Sequence, residues 1–224
     1  MSMVGLKNKI PAIVTELENK FSGRIISLVG YGSYFFERAH QSSDIDLCLL
    51  LDTRNEEDLI VLNKLIDGKH ESKVDITVHY LDEIECRGWE NFHHGTHGVF
   101  FLHHLAHAML LSGSDIFARK AHQVPTAKYT ESLISQVHQY IDRIQTALVN
   151  DNLIRIDFYR KYLTRIMIDM MLINSEISYR EINTNSAIDI MDKFINASKI
   201  FSAESKKIHR KIMTQDADRK DITL

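Results

Sequence analysis

The stretch LVGYGSYFFERAHQSSDIDLCLLLD, residues 28–52, decides how the rest of the chain is read. One apolar run ends on Gly32 and Ser33, and the next opens with Asp44 and Asp46, two acids one position apart. A strand covered on both faces rarely begins with paired carboxylates, because a buried charge is costly unless something pairs with it. With a strand starting at Asp44, the period of two points both acids to one face and sends Ile45 and Leu47 into the core. Carboxylates about 6 to 7 Å apart along a strand can each give an oxygen to a hard divalent cation. Magnesium suits such a pair, since it accepts one or two carboxylates and completes its shell with water and phosphate oxygens.

Two features extend that cluster. Asp75 lies between Val74 and Ile76 in KVDITVHYL, residues 73–81, an alternating, β-branched run. If this strand pairs beside the second, its acid joins the other two. Three converging acids repel one another unless cations and phosphates make them a template for displacement at phosphorus. Gly32 lets the backbone approach a ligand closely. Ser33 stands where a helix would begin, so its amide, its hydroxyl and the helix dipole favour phosphate.

Outward from this core, Ile10, Ile13, Val14, Leu17 and Phe21 fall at helical spacing before a stop at Ser22-Gly23. RIISLVGYGS is the first strand, SYFFERAH is long enough for about two helical turns, and DIDLCLLLD is a central second strand by its continuous apolar character. NEEDLIVLNKLID, residues 55–67, reads as a helix capped by Asn55, with Leu59, Leu62 and Leu65 as its apolar positions and Gly68 as its end. Beyond Leu81 strand signals stop, and Gly98–Ser112 and most of Ala127–Met213 show helical spacing. Tyr159, Leu163, Ile166, Met170 and Ile173 draw one packing stripe down a long helix. The expected fold class is α+β: an α/β domain over residues 1–124 with a small sheet, then an all-helical bundle over residues 125–224, joined near Pro125.

The chain has 224 residues, 44% of them hydrophobic, enough for one large core or two modest ones. A net charge of -3 supplies no overall basic field for a nucleic acid backbone, so no nucleic-acid partner is expected. The opening MSMVGLKNKIPAIVTELENK does not read as a secretory signal. VFFLHHLAHAMLL is too short, and too broken by histidines, to span a bilayer, so no membrane partner is expected. Cys48 and Cys86 support neither a disulfide framework nor a cysteine zinc site, and the expected location is a reducing cytoplasm.

Ser33 and Asp44 are separated by ten residues, Tyr34 to Ser43. At this spacing the chain resembles the polymerase-beta-like nucleotidyltransferase superfamily, whose signature is glycine-serine, about ten residues, acid-any-acid, and a third acid on a later strand. The matching residues are Gly32, Ser33, Asp44, Asp46 and Asp75, and the resemblance covers roughly residues 24–80. The helical second half looks like that of small-molecule nucleotidyltransferases that modify antibiotics, and LLSGSDIF, residues 110–117, is similar to a segment of theirs. The resemblance implies a small mixed sheet and a magnesium-dependent transfer of a nucleoside monophosphate, AMP from ATP by family habit, to a hydroxyl of a small-molecule acceptor, with release of pyrophosphate. It implies that Asp44 and Asp46 bind two magnesium ions, and that Asp75 binds the one that lowers the pKa of the acceptor hydroxyl. Gly32 and Ser33 would hold the β and γ phosphates. Beside them Arg38, the nearest cation, reads equally as a nucleotide phosphate contact or a solvent-facing helix arginine. Ser43, counted with the nucleotide-binding residues, reads as the residue that caps or orients the turn into Asp44. Homodimerisation follows by the same analogy. Two alternatives stay open: AMP transfer to a protein, as in antitoxins that modify a partner toxin, and a non-catalytic nucleotide-binding regulator. The chain departs from the family in Tyr34, Phe35 and Phe36, where minimal members carry arginines; packing of the short helix onto the sheet is their expected role.

Weaker signals surround this set. His93, His94, His97, His103, His104 and His107 form a histidine-rich stretch. His103 and His107 share a helix face, as a zinc pair would, but solvated or core-edge packing is the favoured reading. Glu83, Glu85 and Glu90 are each a conceivable extra base. Lys206, Lys207, Arg210 and Lys211 read as a solvated helix face. The arginine–histidine spacing of Arg87 and His93 nominally meets the pattern of HEPN ribonucleases and is read as coincidence.

Overall fold

The computed structural model describes residues 9–35, 44–67, 74–93, 98–174 and 177–178. The chain divides into two compact units, residues 1–133 and residues 134–224.

Unit 1 opens with α1 (Lys9–Lys20), whose Ile13 and Leu17, with Phe21 just beyond, are buried. Strand β1 (Ile25–Tyr31) runs directly into α2 (Gly32–Phe35). Strand β2 (Ile45–Leu51), helix α3 (Asp58–Asp67) and strand β3 (Val74–Tyr80) follow. Then come α4 (Leu81–Arg87), a 3-10 turn at Trp89–Asn91, α5 (Phe100–Leu105), β4 (Met109–Gly113) and α6 (Ile116–Ala121). The four strands form one sheet in the order β3-β2-β1-β4. The β2–β3 pair is parallel, while β1 pairs antiparallel with both β2 and β4. The sheet is therefore small and mixed, and the α+β class is observed.

Alternation assigns the two faces of the sheet. Ile45, Leu47, Leu49 and Leu51 of β2 join Leu28 of β1, Ile13, Leu17 and Phe21, and Leu62 and Leu65 of α3 in one core. Burying a leucine or phenylalanine of this kind contributes about 1.5 to 3 kcal/mol, so α1 and α3 are held by their apolar stripes. Phe35 adds to the same side, because its ring lies over Gly30, where a side chain would collide with it. Gly30 is a close-approach glycine, and Tyr34 and Phe35 do pack α2 onto the sheet, while Phe36 lies outside the described residues.

Two details differ from the sequence expectation. Residues 109–112, read as helical, belong to the edge strand β4. Met109 and Leu110 are exposed, so β4 lacks the buried alternation that marks a strand. Backbone pairing with β1 creates it. Helix α3 starts at Asp58, not at Asn55. Asp58 is buried and its carboxylate accepts from both Arg24 Nη1 (2.7 Å) and Nη2 (3.0 Å). It also accepts from the Asn55 backbone N–H at 3.0 Å, so the ion pair fixes where the helix begins. Arg24 holds the Asp58 carboxyl below its ordinary pKa.

Helix α7 (Thr126–Val149) starts in unit 1 and continues in unit 2, where α8 (Leu153–Ile173) follows it. Asn152 caps α8 by accepting from the Arg155 N–H at 3.1 Å. Within unit 2, Tyr140 stacks on Tyr162 with centroids 5.3 Å apart, and the Arg143 guanidinium lies over the Tyr140 ring. The expected α8 stripe holds at Ile166, but Ile168, Asp169, Met171 and Leu172 are also buried. The run RIMIDMMLI is apolar on more than one side, so packing and not periodicity selected the covered face. Burial raises the Asp169 carboxyl to about 7. No described helix is long and apolar enough to cross a membrane.

Candidate active site

The end of β1 carries the first element of the site. Gly32 has φ +77, a left-handed conformation that glycine adopts without penalty. A Cβ here would run into the Asp46 carboxylate. Glycine thus serves two needs: it turns the chain out of the strand, and it lets the backbone lie directly against an acid. Ser33 follows, half-buried, in α2.

Strand register supplies the rest. Tyr31 of β1 is the cross-strand partner of Asp46 of β2, and Asp46 is the partner of Asp75 of β3. Tyr31, Asp46 and Asp75 form one rung across three strands. Adjacent strands lie about 4.7 to 4.9 Å apart, so residues on such a rung are neighbours on one face. Asp46 is half-buried and Asp75 is exposed at the solvent end of its strand. Asp44 is exposed and immediately precedes β2. The structure thus brings Gly32, Asp46 and Asp75 together, with Ser33 next to Gly32 along the chain and Asp44 two residues before Asp46. Ser43 and Arg38 lie outside the described residues. Among the described residues, no group of three histidine, cysteine, aspartate or glutamate side chains is placed to hold a metal ion by itself.

Two residues of this face were not singled out by sequence reading. The Tyr31 hydroxyl lies 3.2 Å from Thr77 Oγ1. Because Tyr31 is on β1 and Thr77 on β3, its side chain crosses β2. Tyr31 is buried and its phenol is raised above the ordinary pKa, chiefly by burial, with Asp46 and Asp75 adding to the shift. The signal was available: Tyr31 directly precedes Gly32, and Thr77 shares the face of Asp75 by period two.

An aromatic and histidine layer covers the same face further along. His79 of β3 lies 4.4 Å from Phe92, 5.3 Å from His93 and 6.3 Å from Phe101, centroid to centroid. Phe101 in turn meets Tyr31 edge-on at 5.2 Å. Burial drives His79 down to about 3, so it stays neutral. His103 and His107 have rings 5.3 Å apart, and burial lowers His103 to about 4. His94 and His97 lie outside the described residues.

Other candidates have structural partners. Glu83 pairs with Arg54 at 2.9 Å, and Arg87 donates to the Phe92 carbonyl at 2.7 Å. The segment LLSGSDIF is the end of β4 and the start of α6, where Asp115 accepts from the Ala118 N–H at 3.4 Å. Glu85 and Glu90 are exposed, and Lys206, Lys207, Arg210 and Lys211 lie outside the described residues.

No curated protein matches the chain. A solved structure described as "Crystal structure of the toxin-antitoxin with AMP-PNP" aligns at 17% identity and a TM-score of 0.34, over 64% of this chain and 98% of that one. The family model for the nucleotidyltransferase domain matches residues 10–95. That span takes in all but the first residue of α1, the elements through α4, the rung Tyr31–Asp46–Asp75 and the Gly32 turn, so the match to the nucleotidyltransferase domain falls on the residues that build this site.

Proposed function

We propose that this domain transfers AMP from ATP to a hydroxyl of a small-molecule acceptor, with release of pyrophosphate. The observation that carries the reading is the contact of Gly32 with the Asp46 carboxylate, with Asp75 on the adjoining strand, inside a nucleotidyltransferase domain. It puts a backbone turn suited to phosphate against two acids suited to a cation.

The donor set fits magnesium. Its oxygens are hard carboxylates, and Mg2+ is bound through one or two carboxylates plus substrate phosphates more often than by an all-protein cage. Asp44, Asp46 and Asp75 would hold two such ions, which when bound screen phosphate charge and acidify a coordinated hydroxyl. The Gly32 backbone and the Ser33 hydroxyl would donate to the β and γ phosphate oxygens. The acceptor oxygen would form its bond to the α phosphorus as the bridging bond to the β phosphate breaks. Asp75 would also help remove the acceptor proton. Arg38 and Ser43 complete the proposed nucleotide contacts, and the protein is proposed to act as a cytoplasmic homodimer.

The experiment is incubation of the purified protein with magnesium and α-phosphate-labelled ATP in host lysate, beside an Asp44→Asn/Asp46→Asn variant. Label in the small-molecule fraction that disappears in the variant is the expected result. Label on a protein band would move the acceptor class to protein. No label in either fraction, with ATP still bound, would overturn the proposal in favour of a binding regulator.

A further inference from the structure

The Tyr31 side chain stands apart from the rest of its strand. It begins on the rung shared with Asp46 and Asp75, yet its hydroxyl ends at Thr77, two residues inward from Asp75 on the same face. To get there the ring passes over β2 between the positions of Asp46 and Cys48, since Cys48 is the partner of Thr77. Phe101 packs edge-on against the ring at 5.2 Å and His104 at 6.2 Å, so the ring is held against the sheet from above. The residue after Tyr31 is Gly32, whose backbone abuts Asp46.

We propose that Tyr31 is a positioning residue: anchored to Thr77, its hydroxyl ties the glycine-serine turn of β1 to β3 and so fixes where Asp46 and Asp75 stand relative to one another. The inference rests on the cation-binding reading of Asp46 and Asp75. It deepens that reading, because it assigns the lateral alignment of the two acids to a side chain from a third strand. Strand pairing sets the backbone positions of the two acids, and the hydroxyl contact to Thr77 ties the β1 end of their rung to β3 across β2. Groups that orient metal-binding side chains from behind typically matter by about tenfold or more in metal affinity. The ring keeps its contacts with Phe101 and His104 without the hydroxyl, so removing that oxygen leaves the packed ring and the fold in place.

The test is Mn2+ binding to the full chain, followed by electron paramagnetic resonance of the free ion, with melting temperature measured in parallel. Tyr31→Phe keeps the ring and is expected to weaken Mn2+ binding by about tenfold with an unchanged melting temperature. Thr77→Val should weaken it to the same extent, the double variant should be no weaker than either single one, and Thr77→Ser should restore binding. Asp46→Asn is the control for the underlying reading. If Asp46→Asn loses Mn2+ while Tyr31→Phe binds as the wild type does, the positioning role is overturned and the site stands. If Asp46→Asn binds as tightly as wild type, the cation-binding reading fails, and the inference falls with it.

Discussion

The two faces of the sheet in unit 1 are built from the same strands and do opposite things. On one, Leu47, Leu49 and Leu51 meet Leu17, Phe21 and Leu62 in a core of apolar side chains. On the other, Asp46 and Asp75 stand at one end, Thr77 and Tyr31 follow, and His79, Phe92 and Phe101 close the far end. Alternation along β2 and β3 separates the two faces residue by residue. The first face stabilises by area removed from water, which is tolerant of chemistry but not of volume. The second face combines polar groups with tight packing, so its costs are electrostatic as well as steric.

This contrast makes predictions that can break it. The largest effect belongs to Asp46→Asn, which should reduce nucleotidyl transfer by roughly a thousandfold, equivalent to about 4 kcal/mol of transition-state stabilisation. Its melting temperature should stay near that of the wild type; steady-state assay and calorimetry together check both halves. Unfolding of this variant would show that the second face is structural after all. Leu49→Ala, on the opposite face of the same strand, should cost about 3 kcal/mol of stability in a urea titration. Its activity per folded molecule should be retained, and a selective loss of activity would erase the division between the faces.

Gly32→Ala tests the boundary between them. The left-handed φ alone should cost about 1 to 2 kcal/mol, and the new methyl group must displace the Asp46 carboxylate. Activity should therefore fall further than the stability loss explains, as a comparison of denaturant curves with kcat would reveal. The smallest effect is the pH dependence of the histidine layer. His79 is depressed to about 3 in the folded state, against an ordinary value of 6.5. Between these values the unfolded chain binds the proton and the folded one does not, so stability is full above pH 6.5 and is lost as pH falls toward 3. His103, lowered to about 4 from 6.5, acts in the same direction. His79→Phe should flatten the fall in melting temperature between pH 7 and pH 4.5, and an unchanged slope would exclude His79 as its source.

Much of unit 1 was legible before any coordinates. Periodicity marked α1 and β3 and a continuous apolar run marked β2, because each packs side chains against the same core. The spacing from Gly32-Ser33 to Asp44 and Asp46 pointed to the nucleotidyltransferase domain that the family model matches, since it reflects a turn and a strand whose residues meet. The edge strand β4 was missed because its side chains are largely exposed and its strand character comes from β1. The start of α3 shifted because the partner of Asp58 is Arg24, which is distant in sequence.

The sequence by itself determined which residues could be acids on a strand, which runs would be buried and where a glycine had to turn the chain, because these follow from local periodicity and backbone sterics. Tertiary structure alone decided that Asp46 and Asp75 share a rung, that Tyr31 crosses β2 to reach Thr77, and that His79 lies among Phe92, Phe101 and His93. Those relations depend on strand order and register. Both are set by the summed packing of segments far apart in the chain, and no local stretch encodes such a sum.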